Sequence, residues 1–255
     1  MPLLPRPPGE TFVSWYNTGV FILWPPMNVA TKHEWRGAEH IGSYGDGLVL
    51  GVNHISWFDP FAVAHFVNDN GRSVRFLAKA ALFDVPVGNR VLKGTDQIPV
   101  YRASGDAAAA VDAAVQAVND GECIIVYPEG TITRDPDLWP MTAKTGAARI
   151  ALTTRKPLVP VAQWGAHEVM APYKVEANLI PRKTMRFLAG EPVDLSDLYD
   201  LELSGEVLAV ATNRLMDAIT GLLAELRGEE PPEGRWSMKA EQREPRGPTS
   251  LPELP

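Results

Sequence analysis

The sequence predicts an α/β fold: a single layered domain with a mixed, largely parallel sheet flanked by helices, an N-terminal apolar helix and a mobile C-terminal tail. Three observations point there. Short apolar runs bounded by turn residues alternate with stretches of helical periodicity. The chain has 255 residues, 45% of them apolar, which is enough for one substantial core. No internal repeat of roughly 20 to 50 residues divides it.

The first 30 residues stand apart. Between Thr11 and Thr31 there is no charged residue, and Phe12, Val13, Trp15, Tyr16, Val20, Phe21, Ile22, Leu23 and Trp24 make the segment strongly apolar and aromatic. A membrane-spanning helix needs roughly 20 mostly apolar residues, whereas Ser14, Asn17, Thr18 and Gly19 interrupt this run and Pro25-Pro26 stop it. A signal peptide is not expected either, because no basic start leads into an apolar run and a small-residue cleavage site. Two readings stay open: a helix packed on the core, or one lying in a membrane interface with its Trp and Tyr rings at headgroup level.

Residues 31–227 carry the domain. Strands are expected at residues 47–52 (GLVLGV), 74–78 (VRFLA), 122–127 (ECIIVY), 158–163 (LVPVAQ) and 184–189 (TMRFLA). Helical patterns fall at residues 60–67, at 106–118 with Gly121 just beyond, at 142–153 and at 205–226. Pro160 within an otherwise buried strand suggests an edge or a bulge. The single cysteine, Cys123, lies in a strand pattern and allows no internal disulfide.

Charge is unevenly placed. The formal net charge is −7, but residues 191–255 hold 14 Asp+Glu against 6 Lys+Arg, leaving 17 acids and 18 bases in residues 1–190. A near-neutral body gives no support for nucleic-acid binding. Residues 228–255, rich in Pro and Glu, read as the mobile tail.

The chemistry concentrates in Asn53-His54-Ile55-Ser56-Trp57-Phe58-Asp59, just after the first strand. In one ideal helix His54 and Asp59 would stand about 140° apart around the axis. A strand, a turn and a helix opened by Pro60 would instead let the two meet as a general base and its orienting carboxylate. The spacing also fits Asp59 as a plain helix N-cap and His54 as a turn residue. Downstream, Tyr127-Pro128-Glu129-Gly130-Thr131 leaves a strand with a glycine at the turn, so that backbone N–H groups, the Thr131 hydroxyl and Arg134 could gather round an anion. Residues 94–102 (GTDQIPVYR) place Arg102 at the end of an extended segment, suited to bidentate phosphate binding. His33, His40, His65 and His167 lack paired ligand spacing, so no metal is expected.

In their order, these blocks resemble the glycerolipid acyltransferase family that includes the 1-acylglycerol-3-phosphate (lysophosphatidic acid) acyltransferases. Asn53-His54 with Ser56 and Asp59 is similar to its catalytic block, residues 98–102 to its second block, residues 127–131 to its Phe-Pro-Glu-Gly-Thr block and residues 159–161 to its fourth. Residues 79–88 (KAALFDVPVG) are similar to the family's lysine, short helix and Pro-x-Gly. The resemblance covers about residues 30–190. Where many members have Thr-Arg-Ser, this chain has Thr131-Ile132-Thr133-Arg134.

The resemblance implies an O-acyltransferase that moves a fatty acyl group from a thioester, acyl-coenzyme A or acyl-carrier protein as co-substrate, to the hydroxyl of a lysophospholipid. In that reading His54 is the base, Asp59 its orienter, and transfer is direct rather than through Ser56. Lys79, Arg102, Glu129, Gly130, Thr131 and Arg134 are the expected substrate-binding residues, with Glu129 orienting a basic group or an acceptor hydroxyl rather than facing the phosphate. No cofactor is expected. The expected partners are the two substrates and a membrane surface, with the protein held peripherally on the cytoplasmic face and the N-terminal helix in the interface. Another acceptor, such as glycerol 3-phosphate, lysophosphatidylinositol or a glycolipid, or a lipid-binding protein without turnover, remains an alternative.

Overall fold

Strands buried on both faces read as continuous apolar runs, and here they build the centre of the sheet. The computed structural model describes residues 25–42, 47–100 and 107–251. Its helices are α1 (residues 25–30), α2 (Glu39–Gly42), α3 (Asp59–Asp69), α4 (Pro86–Gly94), α5 (Ala107–Asn119), α6 (Gly146–Thr154), α7 (Ala166–Val169) and α8 (Gly205–Arg227). The strands of the main sheet are β1 (Thr31–Arg36), β2 (Leu48–Val52), β3 (Arg75–Lys79), β4 (Ile98–Val100), β5 (Cys123–Val126), β6 (Leu158–Trp164) and β7 (Lys183–Ala189). They lie in the order β1-β7-β6-β2-β5-β3-β4. Every pair is parallel except β6 with β7, so the mixed, largely parallel sheet expected from sequence is what forms.

Alternation along the strands divides the core. Val49, Ile124, Val126 and Leu158 face α5, α6 and α8, while their neighbours Leu50, Ile125 and Val161 face α3. Among the described residues, α8 alone is long and apolar enough to cross a bilayer. Here ten of its side chains, from Val207 to Leu223, are buried. Ser204 caps its start by accepting the Val207 N–H at 3.2 Å, and Gly228 ends it in the left-handed region at φ 65°. Gly51 lets α8 approach: a Cβ there would stand 2.8 Å from the Leu215 methyls. In the last turn the Arg227 guanidinium lies between the rings of Trp139 and Trp164, 4.2 and 4.4 Å from their centroids.

Three expectations change, and two fall outside the described residues. Pro160 is on neither an edge nor a bulge, since β6 lies between β2 and β7. Its carbonyl still accepts the Gly190 N–H at 2.9 Å, and its missing N–H falls just beyond the β6–β7 ladder, whose last pair is Val161 with Ala189. The edge strand β1 (TKHEWR) was not expected, because its alternating exposure carries too few apolar residues to show as a run. Residues 228–251 are not a loose tail. They form a hairpin of β8 (Arg235–Ser237) and β9 (Gln242–Glu244). Arg235, only 5% exposed, donates to Asp217 at 2.7 Å, Arg243 bridges Asp135 and Asp137 at 2.9 Å each, and Leu251 packs on the core. The arginines of this acidic segment, Arg235, Arg243 and Arg246, each end on a carboxylate of the body, which composition alone does not show. The expected apolar helix before residue 25, and Arg102, lie outside the described residues.

Candidate active site

The parallel strands β2, β3, β4, β5 and β6 all end on one edge of the sheet, where open α/β sheets place their ligand crevices. The block from Asn53 leaves β2 at this edge, between the ends of β5 and β6. Asn53 ties itself to β6: its Oδ1 accepts the Gln163 N–H at 2.8 Å, its Nδ2 donates to the Gln163 carbonyl at 3.1 Å, and Gln163 Nε2 returns a bond to the Asn53 carbonyl at 2.8 Å. All these groups are buried. The turn is thereby fixed before the histidine begins.

After Ile55 and Ser56 the chain turns into α3, with Pro60 in its first turn. This brings Asp59 back under His54. Asp59 Oδ2 lies 2.7 Å from His54 Nδ1 and also accepts the N–H groups of Ile55 at 2.6 Å and Ser56 at 2.9 Å. The carboxyl is fully buried, and Oδ1 has no hydrogen-bond partner among the described residues. Burial pushes its pKa above the ordinary aspartate value, while His54 and the two N–H groups pull the other way. Asp59 thus both closes the turn and faces the ring, but it does not cap the helix: Phe58 holds the N-cap position of α3, and the Asp59 carboxylate bonds N–H groups that precede the helix.

The His54 side chain is 11% exposed, with the Tyr127 ring stacked on it at 4.2 Å and Trp57 edge-on at 6.4 Å. With Nδ1 facing a carboxylate, Nδ1 carries the proton and Nε2 is the free base; Nε2 makes no hydrogen bond with the described residues. Ser56 is occupied: its hydroxyl donates to the Met170 carbonyl at 2.6 Å and accepts the Phe58 N–H at 3.0 Å.

The block from Tyr127 lies beside this pair. Glu129 is 1% exposed, and its two carboxyl oxygens accept the backbone N–H groups of His54 at 2.9 Å and Met141 at 3.1 Å. Burial pushes its pKa up to about 8, against the opposing pull of those two donors. Its two oxygens thus clamp the main chain, where the sequence reading expects it to orient a basic group or an acceptor hydroxyl. Gly130, at φ 71°, turns the chain where an L side chain would be strained. Thr131 follows, half-buried, and the Thr133 N–H donates to the His54 carbonyl at 2.7 Å. Arg134 is exposed and leans toward the Tyr173 ring, 6.0 Å from its centroid.

Lys79 is exposed at the end of β3, two strand spacings or about 10 Å from β2 along the edge. Sequence reading missed a further cation. Lys144 lies over Gly130, its Nζ 3.3 Å from where a Cβ would be, and its N–H donates to the Pro128 carbonyl at 2.9 Å. The signal that could have found it is the basic residue just before the small residues that open α6. Among the described residues, His33, His65 and Asp69 bring ligand atoms within 4.8 Å of one another between β1 and α3. Each is engaged within the protein: Thr31 Oγ1 is 2.9 Å from His33 Nε2, Asn28 Nδ2 is 3.2 Å from His65 Nε2, and Trp35 Nε1 donates to Asp69 at 2.9 Å.

Comparison with known proteins bears on this geometry. The sequence profile of the acyltransferase family matches residues 32–164, just over half of the chain. A chloroplastic 1-acyl-sn-glycerol-3-phosphate acyltransferase of Brassica napus is 28% identical over 153 residues, 58% of this chain and 42% of its own. A 1-acyl-sn-glycerol-3-phosphate acyltransferase of Borreliella burgdorferi is 32% identical over 126 residues, 49% of this chain and 48% of its own. The matched region thus spans less than half the length of either relative. The crystal structure of the 1-acyl-sn-glycerophosphate acyltransferase PlsC from Thermotoga maritima superposes with a TM-score of 0.60 at 20% identity, covering 88% of this chain and 87% of that one. That likeness is one of fold.

Proposed function

The chain belongs to the acyltransferase family, and from that premise we propose that it transfers a fatty acyl group from a thioester to the free hydroxyl of a lysophospholipid, 1-acylglycerol 3-phosphate giving phosphatidate. The observation that carries the proposal is the His54–Asp59 pair, 2.7 Å apart, with Nε2 left for an acceptor hydroxyl. His54 Nε2 takes the hydroxyl proton as the oxygen attacks the thioester carbonyl. The tetrahedral adduct collapses, the C–S bond breaks, and the imidazolium returns the proton to the departing sulfur. Asp59 holds Nδ1–H in place and stabilises the imidazolium. No covalent acyl-enzyme is needed, and the two hydrogen bonds on the Ser56 hydroxyl make it a poor nucleophile.

Arg134 and Lys144 are the cations offered to the acceptor's phosphate from the 129–144 stretch, with Lys79 at the end of β3 and Arg102, which the family resemblance adds from sequence. Acyl-coenzyme A and acyl-carrier protein present the same thioester arm, and either serves as donor. Because acceptor and product are bilayer lipids, the protein works at a membrane surface, peripherally on the cytoplasmic face, with the apolar segment before residue 25 as one contact. A specific observation keeps a second acceptor in view. Ile132 and Thr133 occupy the positions after Thr131 and are buried, so no cation projects there before Arg134; a headgroup other than a bare phosphomonoester is the natural alternative.

The test crosses both donors with lysophosphatidic acid, glycerol 3-phosphate and lysophosphatidylinositol, reading product by mass spectrometry. Phosphatidate formation that disappears in His54→Ala supports the proposal. No transfer in any combination by the intact wild type would sink it.

A further inference from the structure

The catalytic edge is also where the described surface exposes large apolar side chains. Ile180 is 87% exposed, Val175 79%, Val29 74%, Trp57 48%, Phe61 46% and Leu179 40%. Specific contacts join the segments that carry them. The Ser56 hydroxyl holds the Met170 carbonyl, the Trp57 and Tyr173 rings meet edge-on at 6.5 Å, and Arg182 donates to the Asn28 carbonyl at 2.8 Å. Residues 170–178 close on themselves through a bridge between Met170 and Ala177 and a 2.7 Å bond from the Asn178 N–H to the Val169 carbonyl, so Val175 stands at a loop tip.

Branched aliphatic side chains held this far out of a folded loop mark a contact surface. The flanking charge says which kind. Residues 171–183 carry Lys174, Arg182 and Lys183 against Glu176 alone, a local excess of two cations in a chain of net charge −7. Apolar tips, a ring of Trp57 and Tyr173 beneath them and cations around the rim match the layered chemistry of an anionic bilayer surface: acyl chains, headgroups and lipid phosphates. We propose that residues 171–182, with Trp57 and Phe61, form a second membrane contact on the folded domain itself, separate from the segment before residue 25. It seats the domain on an anionic bilayer with the mouth of the His54 site against the interface. The orientation rests on the acyl-transfer reading, but the contact is measurable without turnover.

The buried Cys123, 1% exposed, allows site-specific thiol labelling of the full chain. An environment-sensitive fluorophore would be placed at Ile180→Cys and, on the opposite edge of the sheet, at Asp120→Cys. Vesicles of phosphatidylcholine with phosphatidylglycerol should raise the emission at position 180 several-fold and leave that at position 120 unchanged, with little response to phosphatidylcholine alone. Val175→Glu/Ile180→Glu should slow transfer to vesicle-embedded acceptor roughly ten-fold while leaving the rate on a monomeric short-chain acceptor within about two-fold.

A silent probe at position 180 on protein that still floats with the vesicles would overturn the proposal, leaving the N-terminal segment as the contact. Equal loss on monomeric and vesicle acceptors would also overturn it, as would lipid-free dimerisation abolished by the double variant, which would give this face to a second copy. Should the double variant fail to fold, the probe at position 180 decides alone. Bilayer contact at position 180 in a protein that transfers no acyl group would uphold the surface and remove the proposed activity.

Discussion

Glu129 accepts the backbone N–H of His54 at 2.9 Å, so the third sequence block holds the first by its main chain rather than through substrate. The clamp is buried, which raises the Glu129 pKa from an ordinary 4.5 to about 8. Between those values the folded protein keeps a proton that the unfolded chain has released. The sign follows: this contribution to stability is fully present below about pH 4.5 and is lost as pH rises through about 8. Its steepest slope is about 1.4 kcal/mol per pH unit. Glu129→Gln removes the titration, so urea unfolding from about pH 5 to about pH 8 should show the wild type losing stability relative to the variant. Parallel curves would mean that Glu129 stays ionised throughout.

His54→Ala should lower kcat by about a thousand-fold with the fold intact, because the proposed proton transfer then loses its base. Asp59→Asn separates the carboxylate's two uses. An amide oxygen can keep the Ile55 and Ser56 N–H groups, but it supplies no charge for the imidazolium. A fall in kcat of roughly 10²- to 10⁴-fold with KM for the acceptor nearly unchanged is expected from steady-state kinetics. A variant that instead unfolds, or that loses only acceptor affinity, would assign Asp59 to the turn alone.

Tyr127 stacks on His54 while its hydroxyl is buried without a hydrogen-bond partner among the described residues. The ring is therefore useful and the oxygen is a cost. Tyr127→Phe keeps the stack and removes a buried unpaired polar group, so it should stabilise the protein by about 1 kcal/mol. Thermal unfolding and turnover measured together check this; a loss of activity above about ten-fold would reveal a role for the hydroxyl in transfer.

How much of this was legible in the sequence depends on the range of the interaction. Strands β2, β5 and β6 show because their residues are buried on both faces, and α8 shows because one face repeats its apolar residues. The His54–Asp59 pair shows because five residues, a strand end and Pro60 confine it. What stayed hidden is long-range. Asn53 with Gln163 is 110 positions apart, and Arg243 with Asp135 is 108. The Glu129 clamp is hidden for the same reason: composition gives a carboxylate's charge and not which backbone N–H groups surround it.

The Arg243–Asp135 pair carries the last prediction. Asp135 has 1% of its side chain exposed, and the Arg243 guanidinium binds it through two nitrogens at 2.9 and 3.0 Å, from a position 31% exposed. Deleting the arginine leaves the carboxylate with the Asp137 N–H and little else. Burial makes that costly and the arginine's exposure moderates it, so Arg243→Ala should cost about 1–3 kcal/mol. Asp135→Asn in the same chain should restore much of the loss, since the uncompensated charge rather than the missing contact is then the main penalty. The effect should reach the site only weakly. Asp135 leads to His54 through its N–H on the Thr133 hydroxyl and the Thr133 N–H on the His54 carbonyl, while Glu129 clamps the same turn independently. Denaturation of the single and double variants, with turnover below the melting temperature, distinguishes the cases. Additive losses would show that the hairpin acts by contact alone, and turnover falling in step with stability would place it within the catalytic scaffold.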